Sequence, residues 1–466
     1  MTTNRRTFLK DSATAAGSLA LANAMAPWAA HSEEKRRPNL LFILTDDHRW
    51  DALGSAGNPI VQTPNLDRIA AEGVSFTRNF VVTSICCTSR ANIFSGMYGS
   101  RNGVEDFSVF FDPETWNQCY PTLLRKAGYR TGFVGKWGVG RDLPEDEFDF
   151  WGGFAGQGKY LEEIDGKMTH MTERLGAKSL EFLEGCDGSQ PFCLSISFKA
   201  PHCQDGAERQ FPPDPDLESL YADTEIPRPE TATEEYFSRL PKFLQDSEAR
   251  KRWEVRFATD EMRQNSVRDY YRLITGVDNQ VGNLLAKLEE MGALDNTVIV
   301  FTGDNGFYLG EHGLAGKWFM HEESIRTPLL VYDPTLPKEK RGRKVEPMAL
   351  NVDISPTLLD YAGVEIPDRV QGRSVRSIVE GESPKDWRTE WFYEHHFKHP
   401  RIPQTEGVRT EVWKYTRYID VDPVYEELFD LEKDPHEKNN LVGNPDYDSQ
   451  LKQLRGKWEK MRDAVA

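Results

Sequence analysis

Cysteine is scarce in this chain: six in 466 residues, at 86, 87, 119, 186, 193 and 203. No spacing among them matches a thiolate zinc site, which excludes a zinc ribbon or a small disulfide-framed scaffold. Cys186 and Cys193 form a candidate bridge in an oxidising compartment, with buried free thiols as the alternative. An excess of positive charge is also missing. Lys and Arg number 57 against 74 Asp and Glu, for a net charge of −17. General nucleic-acid binding needs a cationic field to displace counterions, so it is excluded, and any anionic ligand must be held by a local cationic pocket. There are no internal repeats, and no stretch approaches a membrane span. What is present is 38% apolar and 11% aromatic residues, enough for a core of one large domain plus a smaller one, or two to three ordinary domains.

The first thirty residues read as an address. Asn4-Arg5-Arg6-Thr7-Phe8-Leu9-Lys10 precedes a small-residue, weakly apolar run from Ser12 to Ala30. Paired arginines before such a run indicate a twin-arginine export signal, with cleavage expected after Ala24 or Ala30. The protein is therefore expected to be exported to the periplasm or beyond, folded, soluble and without a membrane span.

From residue 37 onward, apolar β-rich runs alternate with helical patterns. Strands are expected over 39–44, 129–134, 194–198 and 298–302, and helices over 66–72 and 268–291. The strands run into Thr45-Asp46-Asp47, Gly135-Lys136-Trp137, Ala200-Pro201-His202 and Gly303-Asp304-Asn305. The alternation predicts an α/β fold: a large, mostly parallel sheet with helices on both faces, and ligands beyond the carboxyl ends of its strands. The main unit is placed at 37–370. Within it, residues 203–262, rich in Pro and acid, are an insertion or lid. Residues 371–466 form a smaller α+β unit, with short strands near 391–394, 407–408 and 414–418 and a final helix over 446–466. That helix sets Leu451, Leu454, Trp458, Met461 and Val465 on one stripe, a packing face.

Asp46, Asp47, Asp304 and Asn305 supply four oxygen-bearing side chains at two strand ends, with no clustered soft ligand. Such a set suits a hard divalent cation, calcium or magnesium, although pairs of this kind also serve as caps and turn formers. Lys136, His202 and Lys317 stand on the same rim and, with a dication, describe a pocket for a tetrahedral oxyanion.

Cys86-Cys87-Thr88-Ser89-Arg90 resembles the signature of the type I sulfatases, Cys-x-Pro/Ala-Ser-Arg. TPNLDRIAAEGVSFTRNF (63–80), GYRTGFVGKW (128–137), FTGDNGFYLGEHGL (301–314) and ELFDLEKDPHEKNNLV (427–442) resemble further landmarks of that family, in order and at family spacing. The resemblance covers nearly all of the chain after the signal and is closest in look to exported bacterial carbohydrate sulfatases. It implies an alkaline-phosphatase-like fold with an antiparallel sheet in the C-terminal unit. It implies that Cys86 is oxidised to formylglycine by a maturation enzyme, and that one calcium is held by Asp46, Asp47, Asp304 and Asn305. It further implies that Arg90 pairs with the modified residue and the metal carboxylates, that Lys136, His202 and Lys317 bind sulfate, and that His202 or Lys317 protonates the leaving oxygen. Residues 88–95 are expected to form a helix with its N-terminus toward the anion.

Two positions depart from the pattern. Thr88 stands where Pro or Ala is usual, and Gly138 replaces the His of the family's Lys-Trp-His. Slow turnover, a substitute base such as His48, or substrate filling the vacated space would each account for Gly138; the last is the expectation, because Gly lets a ligand approach the backbone. A sulfated poly- or oligosaccharide is the expected substrate. His321, Arg326, His395 and His396 are its candidate contacts, with the 203–262 insertion. A phosphodiesterase or phosphonate hydrolase on the same fold, and a degenerate relative that only binds sulfated glycan, are the alternatives.

Overall fold

The computed structural model describes residues 37–465, so the expected export signal at 1–30 lies outside the described residues. An eight-stranded sheet organises the larger part of the chain. Its strands are β1 (Asn39–Asp46), β2 (Val74–Phe76), β3 (Arg130–Lys136), β4 (Phe150–Phe154), β5 (Phe192–Pro201), β6 (Thr297–Gly303), β7 (Leu329–Tyr332) and β8 (Arg343–Val345), in the spatial order β8-β2-β7-β6-β1-β5-β3-β4. Every pairing is parallel except those of β7 with β6 and with β2. The mostly parallel sheet is as expected; the reversal of β7 is not visible in its four apolar residues.

β1 shows why the sheet lies at the centre. All eight residues of NLLFILTD are buried, the continuous apolar run of a strand covered on both faces. Leu41 and Ile43 enter one hydrophobic cluster, while Leu40, Phe42 and Leu44 enter another. The period-two alternation thus serves two cores at once. Each such side chain contributes about 1.5–3 kcal/mol on burial, and Ile43→Ala would cost about 2–5 kcal/mol through the cavity left behind. The first core is closed by α1 (Pro64–Glu72), α3 (Met171–Glu184) and α5 (Asp260–Glu290), the second by α2 (Cys86–Ser95) and α6 (Ile354–Ala362). α5 starts eight residues before the expected position, because Thr259 caps it, accepting from the Met262 amide at 3.1 Å. That side-chain cap meets an otherwise orphaned amide. α4 (Glu248–Arg256) is the last helix of the insertion.

The smaller unit carries a four-stranded antiparallel sheet, β9 (Glu390–His395), β10 (Thr405–Thr410), β11 (Trp413–Tyr418) and β12 (Tyr425–Asp430), in sequential order. β12 is a fourth strand beyond the three expected. α7 (Asp448–Val465) buries Leu451, Leu454 and Trp458 against this sheet, with Met461 and Val465 partly buried. The same hydrophobic cluster includes Phe80, Val82, Ile325 and Leu350 from the larger part, and from Arg37 onward the chain is one compact unit. All six cysteines are free thiols, so the candidate Cys186–Cys193 bridge is not formed. No helix among the described residues is long and apolar enough to cross a membrane.

Candidate active site

The carboxyl ends of β1, β3, β5 and β6 converge on the N-terminus of α2. β1 ends at Asp46, and Asp47 follows with φ +62°, a left-handed conformation that turns the chain sharply. Cys86 is the first residue of α2, all ten residues of which are buried. Its Sγ lies 3.3 Å from Asp46 Oδ1 and receives a hydrogen bond from Lys317 Nζ at 2.9 Å. One turn along, Arg90 is wholly buried and holds the strand ends together. Its Nε donates to Asp304 Oδ2 at 2.9 Å, Nη2 to Asp46 Oδ2 at 3.1 Å and Nη1 to the Lys136 carbonyl at 2.8 Å. Lys136 pairs with Asp46, and Lys317 with Asp47. His202 Nε2 lies 3.6 Å from Asp47 Oδ2.

Charge is concentrated here among buried side chains. Burial opposes ionisation of Asp46, but Lys136, His202, Arg90 and Lys317 outweigh it and hold the carboxyl well below its usual range. Asp304 goes the other way: burial, then the neighbouring Asp46, push it up to about 7. Burial also raises the Cys86 thiol, with Asp46 adding to the effect, so the unmodified side chain is a poor nucleophile at neutral pH. His202 is pulled down to about 4, chiefly by burial, and is neutral at pH 7. Its Nδ1 lies 2.6 Å from the Cys203 carbonyl. An N–H must therefore sit on Nδ1, and the lone pair of Nε2 stays free.

A hard dication fits these residues. Arg90 bridges the Asp46 and Asp304 carboxylates, Asn305 Nδ2 donates to Asp47 Oδ1 at 2.5 Å, and Asn305 Oδ1 is buried with no hydrogen-bond partner. An orphaned buried acceptor among carboxylates is satisfied by a cation with oxygen ligands. Ligand atoms of Asp46, Asp47, Cys86 and His202 all lie within 4.8 Å of one another.

Asp47, Cys86, His202 and Lys317 line a cavity of about 220 Å³, together with Gln157, Asp205, Arg252, Arg256, Trp318, Phe107, Phe397 and His399 among others. Residues 203–262 thus contribute part of the wall. The four residues expected to touch substrate are placed elsewhere. His321 is buried, hydrogen-bonded to the Tyr308 hydroxyl at 2.6 Å and stacked on His312. Arg326 lies over the Trp50 ring and donates to the Thr77 carbonyl. His395 is fully buried in β9, and His396 is clamped between Glu105 and Glu406 at 2.8 and 3.1 Å. None of these four lines the cavity. His399, a few residues on, does.

The expectations for Gly138 are also revised. Its φ is +77°, and a Cβ built there would lie 2.7 Å from Arg90 Cδ. Arg90, not substrate, occupies the space of a side chain. His48 does not substitute as a base: Nδ1 is 3.1 Å from Thr45 Oγ1, Nε2 is 3.2 Å from the Ala52 carbonyl, and the ring is fully buried. Gln157, which sequence reasoning missed, accepts from Lys136 Nζ at 3.0 Å and lines the cavity. No local motif marks it.

Comparison with known proteins agrees with this geometry. The sulfatase family model matches residues 38–364, and a second, described as N-sulphoglucosamine sulphohydrolase, C-terminal, matches 310–464. An N-acetylglucosamine-6-O-sulfatase of Bacteroides thetaiotaomicron is 33% identical, over 91% of this chain and 86% of that protein. A solved structure of a protein in complex with D-glucosamine-2-N,6-O-disulfate superposes with a TM-score of 0.81 at 32% identity, covering 92% of this chain and 98% of the other. The phosphonate monoester hydrolase of Agrobacterium radiobacter superposes with a TM-score of 0.76 at 24% identity, covering 92% and 96%, and bears on the fold alone. The chain belongs to the sulfatase family and is a sulfuric ester hydrolase.

Proposed function

We propose that this chain removes a 6-O-sulfate from an N-acetylglucosamine-type sugar, through Cys86 converted to formylglycine by a maturation enzyme and beside one calcium ion. The observation that carries the chemistry is the place of Cys86: the first residue of a buried helix, on a cavity wall, between the Lys317 ammonium and the Asp46 carboxylate. Formylglycine at this position supplies an oxygen nucleophile in place of a suppressed thiol. Asp46, Asp47, Asp304 and Asn305 would hold the cation, which supplies charge neutralisation for sulfate oxygens.

The remaining roles fall to the chain's own side chains. Arg90 fixes Asp46 and Asp304 relative to each other through two charge-assisted hydrogen bonds, which sets where the cation's ligands point. Lys317 keeps its proton, because Asp47 and its neighbours overcome the burial that opposes its charge. It can stabilise negative charge next to the reacting atom and protonate the leaving alcohol. His202, neutral with a free Nε2 lone pair, is the proton acceptor.

The substrate assignment is supported by the 33% identical relative and by the small cavity. Its volume is below the ~300–1,000 Å³ of sites that enclose drug-sized ligands, which suits one sugar bearing a sulfate better than a chain passing through. Export through the paired-arginine segment, to a compartment where glycans are met, is part of the same reading. The test is sulfate release by ion chromatography from N-acetylglucosamine 6-O-sulfate, with mass spectrometry of the peptide containing Cys86. Sulfate release with an unmodified Cys86 would reject the formylglycine route, and release from phosphonate esters alone would reject the sulfatase substrate.

A further inference from the structure

Asp47 stands where the sheet stops holding the chain. The ladders of β1 end at Thr45, opposite Gly303, and at Asp46, opposite Pro201. One residue on, Asp47 enters the left-handed region at φ +62°. A residue with a Cβ keeps that conformation only where its surroundings impose it. The turn brings the carboxylate into the site. Oδ1 receives hydrogen bonds from Asn305 Nδ2 and Lys317 Nζ, and Oδ2 lies 3.6 Å from His202 Nε2.

The hold on this turn comes from α5. The Tyr270 hydroxyl donates to the Asp47 carbonyl at 2.7 Å and accepts from the Arg49 amide at 3.1 Å. One oxygen thus bridges the residues on either side of His48 and meets two buried backbone groups. The ring that carries it is fixed in place. It is fully buried, lies nearly parallel to Phe307 at 5.9 Å and meets Phe211 edge-on at 6.0 Å. Phe307 is two residues beyond Asn305, so the stack refers the hydroxyl to both halves of the ligand set. Two further ties run beside it: the Asp47 amide donates to Asp304 Oδ1 at 3.1 Å, and Arg49 Nη1 pairs with Glu311 at 2.5 Å. Tyr271, the next residue of the helix, accepts instead from Asn58 Nδ2 at 3.2 Å.

We propose that Tyr270 is a positioning residue of the cation site: its hydroxyl holds Asp47 in the left-handed turn and so sets how tightly a divalent ion is bound. A phenylalanine at 270 keeps the ring and its stack but takes the partner from the Asp47 carbonyl and the Arg49 amide. The turn is then free to relax toward negative φ and carry the carboxylate away from Asn305. The proposal rests on the cation reading above and adds a determinant of affinity outside the four ligands.

It is tested by titrating calcium into chelator-stripped wild type, Tyr270→Phe and Tyr271→Phe in competition with a fluorescent chelator. Turnover on N-acetylglucosamine 6-O-sulfate is followed on the same samples at low and saturating calcium. Tyr270→Phe is expected to bind calcium about 10- to 100-fold more weakly. Saturating calcium is expected to restore most of its kcat, because every ligand is intact. Tyr271→Phe should keep the wild-type affinity, which separates this one hydroxyl from the loss of any hydroxyl on the helix. At one fixed calcium concentration the ion should also raise Tm less in Tyr270→Phe than in wild type, since the gain follows the ratio of free ligand to Kd. That comparison reads the affinity from unfolding where the variant is too unstable for a long titration. Wild-type calcium affinity in Tyr270→Phe, whatever its Tm, or a kcat deficit that saturating calcium does not relieve, would overturn the proposal and leave the cation reading in place. A wild type that binds no calcium would remove that reading and the proposal with it.

Discussion

Gly138 sits against Arg90, close enough that a Cβ on the glycine would fall 2.7 Å from Arg90 Cδ and 3.2 Å from Nε. The absence of a side chain at 138 is therefore what lets Arg90 reach Asp46 and Asp304. Restoring the imidazole usual in relatives should damage this enzyme. A non-glycine residue at φ +77° costs of the order of 1–3 kcal/mol, and displacing Arg90 leaves two buried carboxylates short of a partner, about 3–5 kcal/mol more. Gly138→His is expected to lower Tm by several degrees and kcat by at least ten-fold, with Gly138→Ala in between. Steady-state kinetics and thermal unfolding on the same samples check this; a faster Gly138→His enzyme would contradict it.

The metal prediction follows from the orphaned Asn305 Oδ1 and the crowded carboxylates beside it. Elemental analysis of the purified protein should find one calcium per chain, retained better than magnesium. Asp46→Ala and Asn305→Ala should each lose metal and activity together, by more than the ~10–100-fold typical of outer-shell changes. Zinc, or two metals per chain, would place the site with the phosphatase-like enzymes instead.

For Cys86 the expectation concerns a single hydroxyl. Hydrated formylglycine carries two hydroxyls on one carbon, whereas a serine can accept the sulfuryl group but has no second hydroxyl with which to expel it. Cys86→Ser should therefore become labelled stoichiometrically and then stop, with turnover reduced by orders of magnitude. Labelling followed by mass spectrometry, beside steady-state sulfate release, reads both quantities. Undiminished turnover would eliminate the formylglycine route.

Much of this site was legible in the sequence, because each part ends a strand. Asp46, Lys136, His202 and Asp304 follow apolar runs long enough to read as buried strands, and a parallel sheet gathers such ends at one edge. Cys86 and Arg90 were legible as one motif, one helical turn apart. The rest of the cavity wall was not legible. Phe107, Asp205, Arg252, Phe397 and His399 come from loops and an insertion with no periodicity, and only tertiary packing brings them together. His395 and His396 illustrate the limit: β9 runs through His395 and buries it. The loop that reaches the cavity begins beyond it. In the fold, the reversal of β7 and the strand β12 escaped for a related reason. Four apolar residues after Thr327-Pro328 carry no direction, and YEELFD mixes charge into a short alternation.

His396 gives the pH prediction. Burial opposes its charge, but hydrogen bonds to Glu105 and Glu406 prevail and push the imidazolium up to about 10. In the unfolded chain it returns to the ordinary histidine value near 6.5. Because the folded value is the higher one, the His396 clamp contributes its full stability below about pH 6.5, and the contribution is lost as pH rises from there through 10. Charge-assisted hydrogen bonds of this kind contribute about 1.5–3 kcal/mol, reduced here because Glu105 is partly open to solvent. Wild type and His396→Gln should therefore differ most in Tm at pH 6 and converge by pH 10. A Tm difference that does not change between pH 6 and 10 would show that the imidazole is held by packing and not by its charge.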